Sequence, residues 1–83
     1  MELVWKLRMK LSELKQGQSA IIEQVGGSGA LRRRILEMGM VRGVRVYVEK
    51  YAPLKDPVEL NIKGAHVSLR VQEAAQISIS DVR

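Results

Sequence analysis

The sequence has 83 residues, enough for one domain with a thin core and too few for a deep cleft with its own walls. Its 46% apolar and 28% charged residues exclude a disordered chain, and the lack of cysteine excludes disulfides, thiolate metal sites, iron–sulfur clusters and a cysteine nucleophile. Net charge is +5 at pH 7, a balance that favours an acidic partner surface or nucleic acid; five arginines against the single acid Glu37 lie between Arg32 and Arg45.

The opening MELVWKLRMK has no uninterrupted apolar stretch, because Lys6 and Arg8 fall inside it, so it does not read as a secretory signal. No apolar run approaches the ~20 residues that cross a bilayer. The expected location is the cytoplasm, peripheral to the inner face of a membrane only through a partner. Leu3, Val4, Trp5 and Leu7 are expected to fold back on the domain, pair with an edge strand, or pack against a second copy in a homo-oligomer. Lys10 to Leu14 reads as a short helical turn or an extended lead-in, with Ser12 as its candidate cap.

Gln18 to Val25 favours a strand, although the adjacent Ile21 and Ile22 leave its buried face open. Gly26-Gly27-Ser28-Gly29 reads as a flexible connector. It lacks the Lys-Ser/Thr of a phosphate loop and the spacing of a dinucleotide fingerprint, so nucleotide binding is not expected. A helix is predicted over Ala30 to Met38, where Leu31, Ile35 and Met38 fall within about 60° on a helical wheel. Gly39 follows at the place of a left-handed C-terminal cap.

Beyond it the chain alternates with period two. Val44, Val46 and Val48; Val58, Leu60 and Ile62; Val67 and Leu69; and Ile77 and Ile79 each mark the apolar face of a strand. Lys63-Gly64 predicts a tight hairpin, Ala52 to Pro57 a longer loop, and Glu73-Ala74-Ala75 one helical turn. The expected fold is mainly β: five short antiparallel strands closed into a small barrel, with one short α-helix after the first strand.

Four landmarks carry a resemblance. Leu11, Leu14 and Gly17 in LSELKQGQ; Arg34, Ile35, Met38, Gly39, Met40 and Gly43 in RILEMGMVRG; the loop APLKDP with Pro53, Asp56 and Pro57; and Leu69, Arg70, Glu73 and Ala74 in SLRVQEA occur in order across nearly the whole chain. In these the chain resembles the ferrous iron transport protein A family, whose domain is similar to the C-terminal barrel of diphtheria-toxin-repressor-type metalloregulators. Arg42 stands where that family commonly has Pro, and Lys55 where it has Gly. Residues 1–8 precede the family's usual start, so they are expected to be an N-terminal extension to a domain over residues 9–83.

The resemblance implies that the barrel is a small SH3-like five-stranded antiparallel barrel, and that the chain is a cytosolic accessory protein that regulates a membrane ferrous iron transporter with a GTPase domain through protein contact. It also implies that Arg34, Gly39, Gly43, Pro53, Asp56, Pro57 and Arg70 are structural. On residues alone, partner contact is assigned to Arg32, Arg33, Leu36, Met40 and Arg42, as an apolar centre inside an arginine rim. Neither catalysis nor a cofactor is expected, because Ser28, Ser68, Ser78 and Ser80 have only His66 to share and no triad spacing. His66 is the only histidine; alternation points it outward, near Glu59, and no metal site is assigned to the pair. Two alternatives stay open: a small basic barrel that binds nucleic acid, disfavoured by the three aromatics Trp5, Tyr47 and Tyr51, and a metalloregulator-type barrel acting through a repressor.

Overall fold

The alternating segments form five antiparallel strands, described in a computed structural model over residues 9–83. They are β1 (Ser19–Val25), β2 (Arg45–Tyr51), β3 (Val58–Ile62), β4 (Ala65–Leu69) and β5 (Ile77–Ser80), in the spatial order β4-β3-β2-β1-β5. Helix α1 (Gly29–Glu37) follows β1, a single turn α2 (Val71–Ala74) precedes β5, and Leu11–Glu13 forms a 3-10 turn. The expected fold class is therefore the observed one. The readings of Leu3, Val4, Trp5 and Leu7 fall outside the described residues.

One face of the sheet supplies the core. Ala20, Ile22, Val46, Val48, Val58, Leu60, Ile62, Leu69, Ile77 and Ile79 are all buried, and Leu11, Leu14, Ile35, Met40 and Ala74 join them from the connections. No polar or charged side chain is buried among the described residues, so cohesion is hydrophobic and the polar chemistry lies outside.

Strict alternation fails once in β1, and the reason is a bulge. The pairing with β5 shifts between Ile22 and Gln24, so the extra residue returns Val25 to the core. Of the adjacent isoleucines, Ile22 is the buried one. A second shift between Val48 and Lys50 puts Glu49 outside and turns Tyr51 inward. The Tyr51 hydroxyl then donates to the Leu14 carbonyl at 2.5 Å, tying the lead-in to the sheet.

Helix α1 buries Ile35 fully, while Leu31 and Met38 pack at the margin of the core. Gly39, with φ +94°, ends the helix in the left-handed region that a Cβ disfavours. The β3–β4 hairpin turns at Lys63 and Gly64, both at positive φ as a two-residue type I′ turn needs, and the Asn61 side chain accepts the Gly64 N–H at 2.9 Å.

Two expectations are corrected. Ser12 lies inside the 3-10 turn and does not cap it; the Glu13 carboxylate takes the Lys10 N–H at 2.7 Å instead. Gly26 is more than a connector, since its N–H donates to the Gln76 carbonyl at 2.6 Å.

Candidate partner-binding surface

Arg32 and Leu36 stand four residues apart on α1 and so share a face. That face looks onto the bulged end of β1. The Arg32 Nε donates to the Val25 carbonyl at 3.2 Å, pinning the side chain against the strand. Leu36 packs its inner side on the core and leaves the rest open.

The chain returns past this face after Gly39. Its turn is held to β1 by the Gly43 N–H, which donates to the Ile22 carbonyl at 2.7 Å, and by the Ile22 N–H, which donates to the Val44 carbonyl at 2.9 Å. Arg42 projects from the turn with 82% of its side chain exposed, its Nε 4.0 Å from a Glu23 carboxylate oxygen. Between α1, β1 and the turn lies a groove of about 410 Å³, lined by Glu23, Gln24, Val25, Arg32, Leu36 and Arg42.

Three of the five residues assigned to partner contact thus meet: Arg32, Leu36 and Arg42. Arg33 is exposed on α1 but does not line the groove. Met40 is a correction. It is fully buried, because the left-handed Gly39 reverses the chain and swings the next side chain into the core. Val41, 42% exposed, carries the apolar surface of that turn instead. Glu23 and Gln24 escaped the sequence reading because only the bulge in β1 decides which side of the strand they line.

The residues assigned as structural fall in varied positions. The Arg34 guanidinium pairs with the Glu73 carboxylate, joining α1 to α2. An Asp56 carboxylate oxygen accepts the Val71 N–H at 3.0 Å and so caps α2, and the Asp56–Pro57 peptide is cis. Pro53 is exposed in the same loop. For Arg70 the part played is the backbone's: its N–H donates to Glu73 at 3.0 Å, while the guanidinium has no ion pair among the described residues.

His66 stands on the outer face of β4 with a carboxylate on each side of its ring. Nδ1 lies 2.7 Å from Glu49 and Nε2 2.6 Å from Glu59. The hydrogen bonds to Glu49 and then Glu59 raise its pKa above the ordinary value. Glu49 was not anticipated, since it comes from the next strand but one. The two acids address opposite nitrogens, which is an arrangement for holding protons, and no group of three metal-ligating side chains converges among the described residues. Both ring nitrogens are engaged by carboxylates and neither by a serine, while the Ser80 hydroxyl donates to the Glu23 carboxylate.

Residues 9–81 match the FeoA domain family. The chain belongs to the FeoA family. This is a family of non-enzymatic accessory proteins of ferrous iron transport. A fusion of Fe(2+) transport protein A with the Fe(2+) transporter FeoB, from Porphyromonas gingivalis, is 49% identical over 71 residues; this covers 86% of the chain and 8% of that relative's length. The solution structure of FeoA from Chlorobium tepidum is 44% identical with a TM-score of 0.80, covering 86% of this chain and 68% of that one. The crystal structure of Stenotrophomonas maltophilia FeoA complexed with zinc, described as a prokaryotic SH3-domain protein, is 30% identical with a TM-score of 0.77, covering 87% and 89%. A manganese-dependent transcriptional repressor shares the fold at 16% identity and a TM-score of 0.79, over 89% of this FeoA domain and 41% of the repressor. Among the described residues, no helix of the FeoA domain is long and apolar enough to cross a membrane.

Proposed function

We propose that this FeoA domain regulates a FeoB-type ferrous iron transporter by docking on its cytoplasmic GTPase-bearing part through the groove between α1 and β1. The observation that carries the reading is the Porphyromonas gingivalis relative, in which a domain 49% identical to this one is fused to FeoB in a single chain. Fusion holds two modules at high effective concentration, which favours contact between them. The groove has the composition of a contact site: Leu36 as an apolar anchor, with Arg32 and Arg42 beside it and Arg33 on the adjacent helix face. An acidic patch bordering an apolar side chain on the transporter is the complementary surface.

Calorimetric titration with a FeoB cytoplasmic domain at physiological salt tests the reading, with an RNA oligonucleotide titrated in parallel. Saturable heat with the protein and none with RNA is expected. Arg33→Glu with Arg42→Glu reverses two exposed charges and should weaken that binding at least tenfold while the melting curve stays in place. Leu36→Ala tests the anchor separately, because Leu36 also packs on the core. Undiminished binding by the folded charge-reversed protein, or heat with RNA alone, overturns the proposal.

A further inference from the structure

The outer face of β2, β3 and β4 carries a polar network with no part in the groove. His66 on β4 lies opposite Asn61 on β3 in the strand register, and Glu59 lies opposite Ser68 two pairs along, on the same face. Glu49 reaches in from β2, one carboxylate oxygen on His66 Nδ1 and the other accepting from the Asn61 side-chain amide at 3.3 Å. Asn61 in turn accepts the Gly64 N–H of the hairpin turn. The chain of contacts runs Glu49–His66–Glu59 across three strands. Its central member, His66, stands on β4, which closes one end of the strand order and has a single paired neighbour among the described residues.

We propose that Glu49, His66 and Glu59 form a proton-operated clasp that holds the edge strand β4 to β2 across β3. A carboxylate accepts hydrogen bonds and an imidazole nitrogen without its proton cannot donate one. Both contacts are satisfied together only by the imidazolium, which also carries the charge that two facing acids require. When the proton leaves, one of the two nitrogens turns its lone pair on a carboxylate, and that contact becomes repulsive.

The charged groups facing the ring are Glu49 from β2 and Glu59 from β3. Lys50 stands opposite Glu59 in the β2–β3 register, with no ion pair to it among the described residues. The folded-state pKa of His66 is raised. The clasp therefore contributes fully below the unfolded imidazole value of about 6.5 and is lost as the pH climbs through the raised value. The consequence is local: β4 and its hairpin loosen in mild alkali while the buried core stays packed, because no other histidine is present.

The test is a carbon-detected NMR titration of the His66 ring in the wild type, Glu49→Gln and Glu59→Gln. A wild-type midpoint above 6.5, lowered by each glutamine in turn, is the expected result. The stability gap between wild type and His66→Gln should then be widest in mild acid and shrink with rising pH. Amide protection along β4 should fall with the same midpoint. An ordinary midpoint overturns the clasp. A midpoint moved by only one of the two glutamines also overturns it, since it reduces the network to a surface pair. The ring titration keeps the answer decidable if His66→Gln folds poorly.

Discussion

The amide of Gly26 donates to the backbone carbonyl of Gln76 at 2.6 Å, bringing the exit of β1 against the residue that enters β5. A Cβ at Gly26 would lie 2.8 Å from that carbonyl oxygen, closer than real contacts allow, and the obstacle is backbone. Gly26→Ala is therefore expected to destabilise the domain by about 1–3 kcal/mol through overpacking. Chemical denaturation measures the loss. Equal stability of the two proteins would show that the strands separate at little cost.

Met40 and Val41 are neighbours with opposite environments, and they divide the turn after α1 into a core half and a surface half. Met40→Ala should cost about 2–5 kcal/mol, the range for truncating a fully buried aliphatic side chain. Val41→Ser should change stability by no more than about 0.5 kcal/mol. Thermal melts of the two variants side by side check the contrast, and a similar shift in both would contradict the burial of Met40.

Arg34 and Glu73 join α1 to α2 across a separation of 39 residues, with Arg34 half exposed. Solvent screening limits such a pair to about 0.2–1 kcal/mol in a double-mutant cycle, and added salt should shrink the coupling further. Glu73 also accepts the Arg70 N–H, so Glu73→Ala should cost more than Arg34→Ala. The reverse order would mean that the ion pair outweighs the turn it sits on.

Burial pushes the Tyr51 phenol above its ordinary pKa. Its hydroxyl donates to the Leu14 carbonyl, so Tyr51→Phe should lose about 0.5–1.5 kcal/mol at neutral pH. The sign at high pH follows from linkage. The unfolded chain ionises first, near pH 10, so this contribution is complete below that value and declines as the pH rises through it. The wild-type advantage over Tyr51→Phe should narrow in that range, as followed by urea denaturation at several pH values.

Most of the architecture is legible in local pattern. Period-two alternation in Val46–Val48, Val58–Ile62 and Ile77–Ile79 announces strands with one buried face, because side chains of a strand alternate between its two sides. The helix, its glycine stop and the Lys63-Gly64 hairpin are equally local, since each depends on backbone preferences of a few consecutive residues. What pattern leaves open begins where a bulge breaks the period or a turn re-aims the chain. The groove and the histidine network both lie at such places.

The sequence by itself determined the strands, the helix, the poverty of catalytic groups and the family, because these follow from residue types and short spacings. Tertiary structure alone decided that Met40 turns inward, that Glu23 and Gln24 wall the groove, and that Glu49 meets His66. For Met40 the physical reason is the chain reversal at the left-handed Gly39, and for the other two it lies in the strands. One inserted residue in a strand reverses which side every later residue faces, and contacts between strands are set by register, a property of the pair that neither segment carries alone.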